Sequence, residues 1–175
     1  MGLGASAGGL DAFQKFFSRM PANTGMAFVL VQHLDPHHPS ILPELLRKAT
    51  RMSVDQANDE TPVQPDHVYV IPPNASLTIE GGVLRVRPVE GDSGPRLPID
   101  RLFASLAEDQ GHNAVCVLFS GSGSDGTIGL RAVKEHGGMV MAQSPETAQH
   151  APSSGARSPQ VSWITCSPPR SWPTS

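Results

Sequence analysis

The sequence has few of the features that mark secreted, membrane or nucleic-acid-binding proteins. Only 2 cysteines occur in 175 residues, Cys116 in an apolar run and Cys166 in a polar one, with neither disulfide nor zinc-site spacing. No apolar run reaches the ~18 residues that span a bilayer, and no charged-then-apolar leader starts the chain. Net charge is -3 without a basic stripe. We expect a cytoplasmic protein with no membrane insertion and no nucleic-acid partner.

The chain does contain an alternation of strand-length apolar runs and helical periodicities. Strands that alternate with helices form parallel sheets covered on both faces. The segment 76–88 instead alternates around Glu80-Gly81-Gly82, as a hairpin does. We therefore predict an α/β fold, a doubly wound, mostly parallel sheet with a small β-hairpin insertion, arranged as a Rossmann-like three-layer sandwich. The predicted strands are 3–5, 26–32, 67–73, 114–120 and 138–143, and the predicted helices are 10–20, 41–46, 98–108 and 125–136.

The glycine-rich turn after the first strand has two interpretations. Gly2, Gly4 and Gly8 fit a variant of the dinucleotide fingerprint, in which backbone N–H groups and a helix N-terminus bind a pyrophosphate. The same residues fit G-x-S-x-G around Ser6, the strand-turn-helix elbow that exposes a nucleophilic hydroxyl. Ser6 also suits a simple helix cap. The turn alone does not decide between these interpretations.

Three loops are predicted to open at one edge of the sheet. Ser6 follows the first strand, His33 follows the second, and Asp125 lies in the loop after the strand 114–120. In an open parallel sheet, catalytic and ligand-binding residues lie on the loops beyond the carboxyl ends of the strands. A hydroxyl, an imidazole and a carboxylate that converge there suit a nucleophile, its general base and the group that orients the base.

Each of these loops also has an alternative interpretation. His33 with His37 and His38 suggests a metal cluster, but the H-x-x-x-H-H spacing between two prolines does not suit a tetrahedral site. Asp125 before a helix is most simply an N-cap. A dinucleotide site needs an acidic residue at the end of the second strand, where Gln32 and His33 stand and Asp35 is the nearby candidate.

Four motifs in order give the chain a family resemblance. The segments "GASAGGLDAFQKFF", "VLVQHLDPHHPSILPELL", "VYVIPPN" and "SGSGSDGTIGLRAVKEHGG" resemble the catalytic domain of the CheB-type protein-glutamate methylesterase of bacterial chemotaxis. The phrases "MAFVLVQHLDPHHPS" and "LPIDRLFASLAEDQG" are similar to the form fused to a methyltransferase in CheB–CheR hybrid proteins. The resemblance covers residues 2 to about 150.

The resemblance implies a serine esterase that needs no cofactor and no metal. It assigns the nucleophile to Ser6, the base to His33 and the orienting carboxylate to Asp125, with backbone donors at Ala7 and Ser122 for the oxyanion. The implied reaction is hydrolysis of glutamate 5-methyl esters on a methyl-accepting chemoreceptor or similar methylated signalling protein, with glutamine deamidation as a related activity. Methyltransferase or kinase modules of a hybrid system are further implied partners.

Both ends of the chain depart from the family pattern. The first strand is shortened, and the receiver, linker and methyltransferase segments of relatives do not occur in the sequence. From residue 151 the chain is rich in Ser and Pro without a period, which predicts a disordered tail. Read one frame over, the codons from Arg157 onward allow Ile-Ala-Thr-Gly-Leu-Val-Asp-Tyr, which resembles the end of the family's domain.

These departures divide the chain into two parts. We expect the catalytic domain in residues 1–150 and an aberrant, out-of-frame tail in 151–175. A Rossmann-like nucleotide-binding domain and an inactive, truncated remnant of the esterase stay open as alternatives.

Overall fold

The computed structural model describes residues 1–5, 9–33, 41–89, 97–119 and 125–143, and the backbone of 163–166. No helix within these ranges is long and apolar enough to cross a membrane. The helices are α1 (Leu10–Arg19), α2 (Leu42–Ala49), α3 (Pro98–Gln110) and α4 (Thr127–Glu135). The strands are β1 (Gly2–Ala5), β2 (Ala27–Gln32), β3 (Ser53–Gln56), β4 (Thr61–Pro62), β5 (His67–Val70), β6 (Ala75–Glu80), β7 (Val83–Pro88), β8 (Val115–Leu118), β9 (Met139–Gln143) and β10 (Trp163–Cys166).

The main sheet confirms the predicted mostly parallel architecture. Its strand order is β10-β9-β8-β1-β2-β5-β3, and every neighbouring pair is parallel except β9 with β10. The chain runs from β1 to one side of the sheet and later returns to β8 on the other side. The strand order therefore reverses beside β1, and ligand sites of open α/β sheets lie at such a switch point, beyond the carboxyl ends of the strands.

Two apolar clusters lie on opposite faces of the sheet. One joins α1 and α2 to side chains of β1, β2 and β5, and the other joins α3 and α4 to the alternate residues of β2 and β8. In the first cluster the rings of Phe13 and Phe119 pack edge to face with their centroids 5.1 Å apart. The ring centroids of Phe17 and Phe28 are 5.4 Å apart. Because both faces are covered, the strands are continuous apolar runs rather than alternating ones.

The predicted hairpin is formed by β6 and β7, and β4 adds a third antiparallel strand. Its apolar face packs against α3 through the buried Leu77, Ile79 and Leu84. Two polar contacts fix it there: Ile79 N–H donates to Ser105 Oγ at 3.1 Å, and Gly82 N–H donates to the Asp109 carboxylate. The hairpin thus packs against α3, and its apolar side chains belong to the same buried cluster as Val29 and Val31 of β2.

Gly2 and Gly4 of β1 allow close packing of β1 against helix α3. A Cβ on Gly2 would lie 3.1 Å from Cys116 Sγ and 3.1 Å from Phe103 Cε1, and one on Gly4 would overlap Ile99 Cγ2. Both residues are buried strand residues that let α3 approach the sheet. Neither belongs to a turn that could surround a phosphate, so this part of the dinucleotide interpretation finds no support in the structure.

Gly4→Ala should lower the free energy of unfolding by about 1–3 kcal/mol, the usual cost of overpacking a core. The new methyl group meets a branch methyl of Ile99, which is 1% exposed and cannot move away. Gly2→Ala is the matched control, because its neighbours lie at 3.1–3.2 Å and have less far to move. Urea unfolding of both variants measures the difference. Equal stability of the two variants would contradict this account of β1.

The tail differs from the prediction at four residues. We expected no secondary structure in 151–175, yet Trp163–Cys166 form β10, antiparallel to β9. The expectation is wrong there because β9 would otherwise be an edge with unpaired backbone groups, and a short β-prone run can pair with such an edge. The rest of the tail lies outside the described residues.

Candidate active site

The structure places two predicted site residues at the carboxyl edge of the sheet. His33 directly follows β2, and its backbone N–H donates to Ala5 O at 3.3 Å, at the end of β1. Asp125 precedes Gly126 and helix α4, on the chain segment that follows β8. His33 and Asp125 therefore lie beside the point at which the strand order reverses.

The side chains of His33 and Asp125 meet directly. His33 Nε2 lies 2.7 Å from Asp125 Oδ2, a distance typical of a charge-assisted hydrogen bond. The Asp125 side chain is 5% exposed and that of His33 is 40% exposed, so the imidazole can still reach a substrate. Because a carboxylate only accepts, Nε2 carries the proton, and the neutral ring then keeps its lone pair on Nδ1.

The N-terminus of α3 fixes the Asp125 carboxylate. Ile99 N–H donates to Oδ2 at 3.1 Å and Asp100 N–H donates to Oδ1 at 2.9 Å. Pro98 opens the helix and has no N–H, so these are the first donors that α3 offers. The helix end also carries a partial positive charge that attracts an anion. Each carboxylate oxygen therefore has its place set by the backbone.

Sequence reasoning missed a second aspartate in this arrangement. Asp100, in the first turn of α3, accepts from Gly126 N–H at 3.0 Å and from Gly129 N–H at 2.7 Å through Oδ1. An acidic residue in the first turn after Pro98 is a detectable helix-start signal. What the signal did not reveal is that Asp100 caps another helix rather than its own.

Several predicted site residues lie outside the described residues. These are the nucleophile Ser6 and the oxyanion donors Ala7 and Ser122, as well as His37, His38 and Asp35 from the alternative interpretations. Within the ranges that are described, no group of three or more His, Cys, Asp or Glu is placed to share a metal ion. His33 faces Asp125, as the orienting role requires.

Cys116 is a nucleophilic side chain in the central part of the sheet. It is fully buried in β8, and burial raises the pKa of its thiol to about 12. A thiol with this pKa stays protonated at neutral pH, and the thiolate is the reactive form. Cys116 is therefore a packing residue and not a competitor for the nucleophile's role.

Comparison with known proteins gives one consistent family. A family model described as CheB methylesterase matches residues 1–158. The crystal structure of the Thermotoga maritima CheB methylesterase catalytic domain matches with a TM-score of 0.70 and 27% identity, over 79% of this chain and 76% of that one.

Relatives of several lengths contain the matching segment. Protein-glutamate methylesterase/protein-glutamine glutaminase 2 of Shewanella sp. strain MR-4 is 35% identical over 149 residues, 83% of this chain but 42% of the relative. The chain thus spans about two fifths of that protein. A Leptospira interrogans relative is 30% identical over 93% of this chain and 86% of its own length. A 104.1 kDa protein of Rhodobacter capsulatus is 42% identical over 108 residues, 11% of its length.

Proposed function

The chain belongs to the CheB methylesterase family over residues 1–158, and on this premise we propose that it hydrolyses glutamate 5-methyl esters of a methylated signalling protein. The products are methanol and a glutamate carboxylate. Deamidation of glutamine is the related second activity, since the Shewanella relative is named for both reactions. This chain covers 42% of that relative, so the activity is proposed here on the site's own geometry.

The observation that carries the proposal is the contact between His33 and Asp125. The 2.7 Å bond joins a half-exposed imidazole to a buried carboxylate at the edge where β1 ends. The backbone N–H of His33 donates to Ala5 O, and Ala5 immediately precedes Ser6. The backbone of His33 is thus tied to the chain one residue before the proposed nucleophile, while its imidazole is bound to Asp125.

The first half of the reaction forms an acyl-enzyme. Ser6 Oγ attacks the ester carbonyl while His33 Nδ1 takes the hydroxyl proton, because Nε2 is occupied by Asp125. The Asp125 carboxylate stabilises the imidazolium that results. As the tetrahedral intermediate collapses, the imidazolium gives its proton to the leaving methoxide, and methanol departs.

Hydrolysis of the acyl-enzyme uses the same groups. A water molecule gives a proton to His33 and attacks the Ser6 ester, and the imidazolium then returns the proton to Ser6 Oγ. For a glutamine side chain the leaving group is ammonia rather than methanol. We assign stabilisation of the oxyanion to the backbone N–H groups of Ala7 and Ser122, and such a donor is typically worth ~3 kcal/mol.

We propose a methyl-accepting chemoreceptor, or a similar methylated signalling protein, as the partner, with methyltransferase or kinase modules beside it in a hybrid system. The Rhodobacter match, which fills only 11% of a large protein, supports a domain that works within bigger assemblies. We also propose a cytoplasmic place of action, because the two cysteines of the sequence lack the spacing of a disulfide framework.

We also keep the proposed division of the chain at residue 150. The family model matches residues 1–158, so the boundary itself rests on the change of composition at residue 151. The proposal that 151–175 are read out of frame is decided by the nucleotide sequence of codons 148–160. The codons can be aligned with those of close relatives. If the alignment shows no inserted or deleted base, the out-of-frame proposal is wrong.

Methanol release and active-site labelling test the function together. A synthetic peptide that carries one glutamate 5-methyl ester serves as substrate, and a fluorophosphonate serves as the serine-directed reagent. We expect methanol release that the reagent abolishes, with the adduct on Ser6 by peptide mass spectrometry and none on urea-unfolded protein. Labelling of several serines at equal, slow rates, without methanol release, contradicts the esterase and favours the nucleotide-binding or inactive alternatives.

A further inference from the structure

Asp100 makes contacts that the proposed mechanism does not use. Its side chain is buried, with the residue 7% exposed, and Oδ1 accepts from Gly126 N–H and Gly129 N–H. Its Oδ2 has no hydrogen-bond partner in the described part of the chain. Buried carboxylates usually have partners for both oxygens. The role of Asp100 is therefore inferred from the contacts of Oδ1.

The contacts of Asp100 and Asp125 are reciprocal. Asp125 accepts from Ile99 N–H and Asp100 N–H at the start of α3, and Asp100 accepts from Gly126 N–H and Gly129 N–H at the start of α4. Asp125 thus caps α3, which contains Asp100, and Asp100 caps α4, which begins just after Asp125. Gly126 is bonded directly to Asp125, so the Asp100 carboxylate holds the peptide unit that carries the orienting residue.

Close packing makes this exchange rigid. A Cβ on Gly129 would lie 2.5 Å from Phe103 Cβ and 3.0 Å from both Cα and O of Asp100. Gly126 has a φ of +100°, which a side chain rarely adopts, and its added Cβ would lie 2.8 Å from Leu118 Cδ1. The starts of α3 and α4 are therefore in close backbone contact, and the hydrogen bonds of Asp100 and Asp125 set how they align.

We propose that Asp100 is a positioning residue, which acts through Asp125 to hold the His33 ring in its base-competent orientation and tautomer. The inference rests on the proposed function and extends it to a residue that touches neither substrate nor His33. Without the Oδ1 contacts, Gly126 and the Asp125 backbone are free to shift. The Asp125 carboxylate then no longer meets Nε2 at hydrogen-bond distance, while the substrate site itself is unchanged.

Asp100→Ala is the first test. We expect kcat for methanol release from the methyl-ester peptide to fall about 10- to 100-fold with KM unchanged, because a displacement of about 1 Å costs this much. In ¹⁵N-histidine-labelled protein, the His33 ring should change from the Nε2–H tautomer to a mixture. Its signals are identified among those of 7 histidines by their loss in His33→Gln.

Asp109→Ala is the matched control for Asp100→Ala. Asp109 also lies on α3 and also accepts a backbone N–H, from Gly82 in the hairpin, far from the site. We expect this variant to lose stability with no change in kcat or in the His33 tautomer. A folded Asp100→Ala protein with the wild-type tautomer and kcat within twofold of wild type overturns the inference. If Asp100→Ala does not fold, Asp100→Leu, which is branched at the same carbon and has no hydrogen-bond acceptor, is used instead, with the same expectation and the same contrary result.

Asp100→Asn tests which property of the carboxylate matters. Asparagine keeps an oxygen that accepts from Gly126 and Gly129, so we expect the wild-type tautomer and kcat within about fivefold of wild type. A folded Asn variant with the full loss seen for Ala contradicts positioning through these contacts.

The two proposals fail in different ways. If the wild-type protein releases no methanol, the esterase proposal fails, and the tautomer measurement still decides on Asp100. If the wild-type protein is active and Asp100→Ala changes neither readout, only the positioning role fails.

Discussion

Ser6→Ala should lower kcat for methyl-ester hydrolysis about 10⁶-fold, the largest effect expected of any single change in this chain. Without the hydroxyl no acyl-enzyme forms, and His33 is left with only a water molecule to activate. Binding and the oxyanion donors would still give a residual rate of about 10³-fold over water. Methanol release from the methyl-ester peptide, followed over hours for the variant, measures both rates.

Two comparisons show whether this loss belongs to a triad. His33→Gln should lose a similar amount, and the double variant should lose no more than either single one, because the groups act as a unit. Ser18→Ala is the control, since Ser18 is an exposed serine on α1 that donates only to Lys15 O. Retention of most of the activity by Ser6→Ala would show that the elbow interpretation of the glycine turn is wrong.

The fold was predictable because most of its strands and helices have clear periodicities. The strands of the parallel centre are continuous apolar runs, and the four helices in the described part of the chain carry apolar stripes, so each was found within a few residues. β3 and β4 were missed. β3 (Ser53–Gln56) is an edge strand with a single buried residue, Val54, and β4 (Thr61–Pro62) contains only two residues. Such strands form because a neighbour offers unpaired backbone groups, which a local pattern does not reveal.

The role of the first glycines was beyond sequence reasoning for a related reason. Gly2 and Gly4 fit a phosphate-binding fingerprint as letters, and their actual neighbours, Phe103 and Ile99, lie on a helix about 100 residues later. Only the close approach of α3 to β1 shows why a side chain is excluded at these positions. In this protein the spacing of Gly2 and Gly4 therefore allows α3 to pack closely against β1.

The site was predictable to the extent that topology determines it. Loops after parallel strands share one edge, and this rule alone brings His33 near Asp125. The hydrogen bonds that hold the Asp125 carboxylate were not predictable, because they depend on which helix starts beside it. Asp100 and Asp125 exchange hydrogen bonds between helix starts that are 25 or more residues apart. That exchange follows from the crossing of α3 and α4, which no local pattern encodes.

Asp125→Asn should lower kcat about 10⁴-fold, although it changes one atom. Among the described residues, three groups donate to Asp125: the His33 ring and Ile99 N–H to Oδ2, and Asp100 N–H to Oδ1. If the amide nitrogen replaces Oδ2, it donates to His33 Nε2, the ring proton moves to Nδ1, and the base nitrogen is lost. If it replaces Oδ1, it opposes Asp100 N–H, which leaves buried donors unpaired at a cost of about 1–3 kcal/mol.

A second histidine–aspartate pair in the protein supplies the control for this change. His67 Nε2 lies 2.8 Å from Asp55 Oδ2 at the β3 edge, in an exposed position away from the proposed site. Asp55→Asn should therefore leave kcat unchanged, while Asp125→Asn reduces it and shifts the His33 ¹⁵N signals to the Nδ1–H tautomer. A folded Asp125→Asn protein with kcat within tenfold of wild type would mean that Asp125 does not orient His33, whatever their distance. An equal loss in both variants would point instead to a general effect of removing a surface or buried charge, because only one of the two pairs lies where β1 and β2 end.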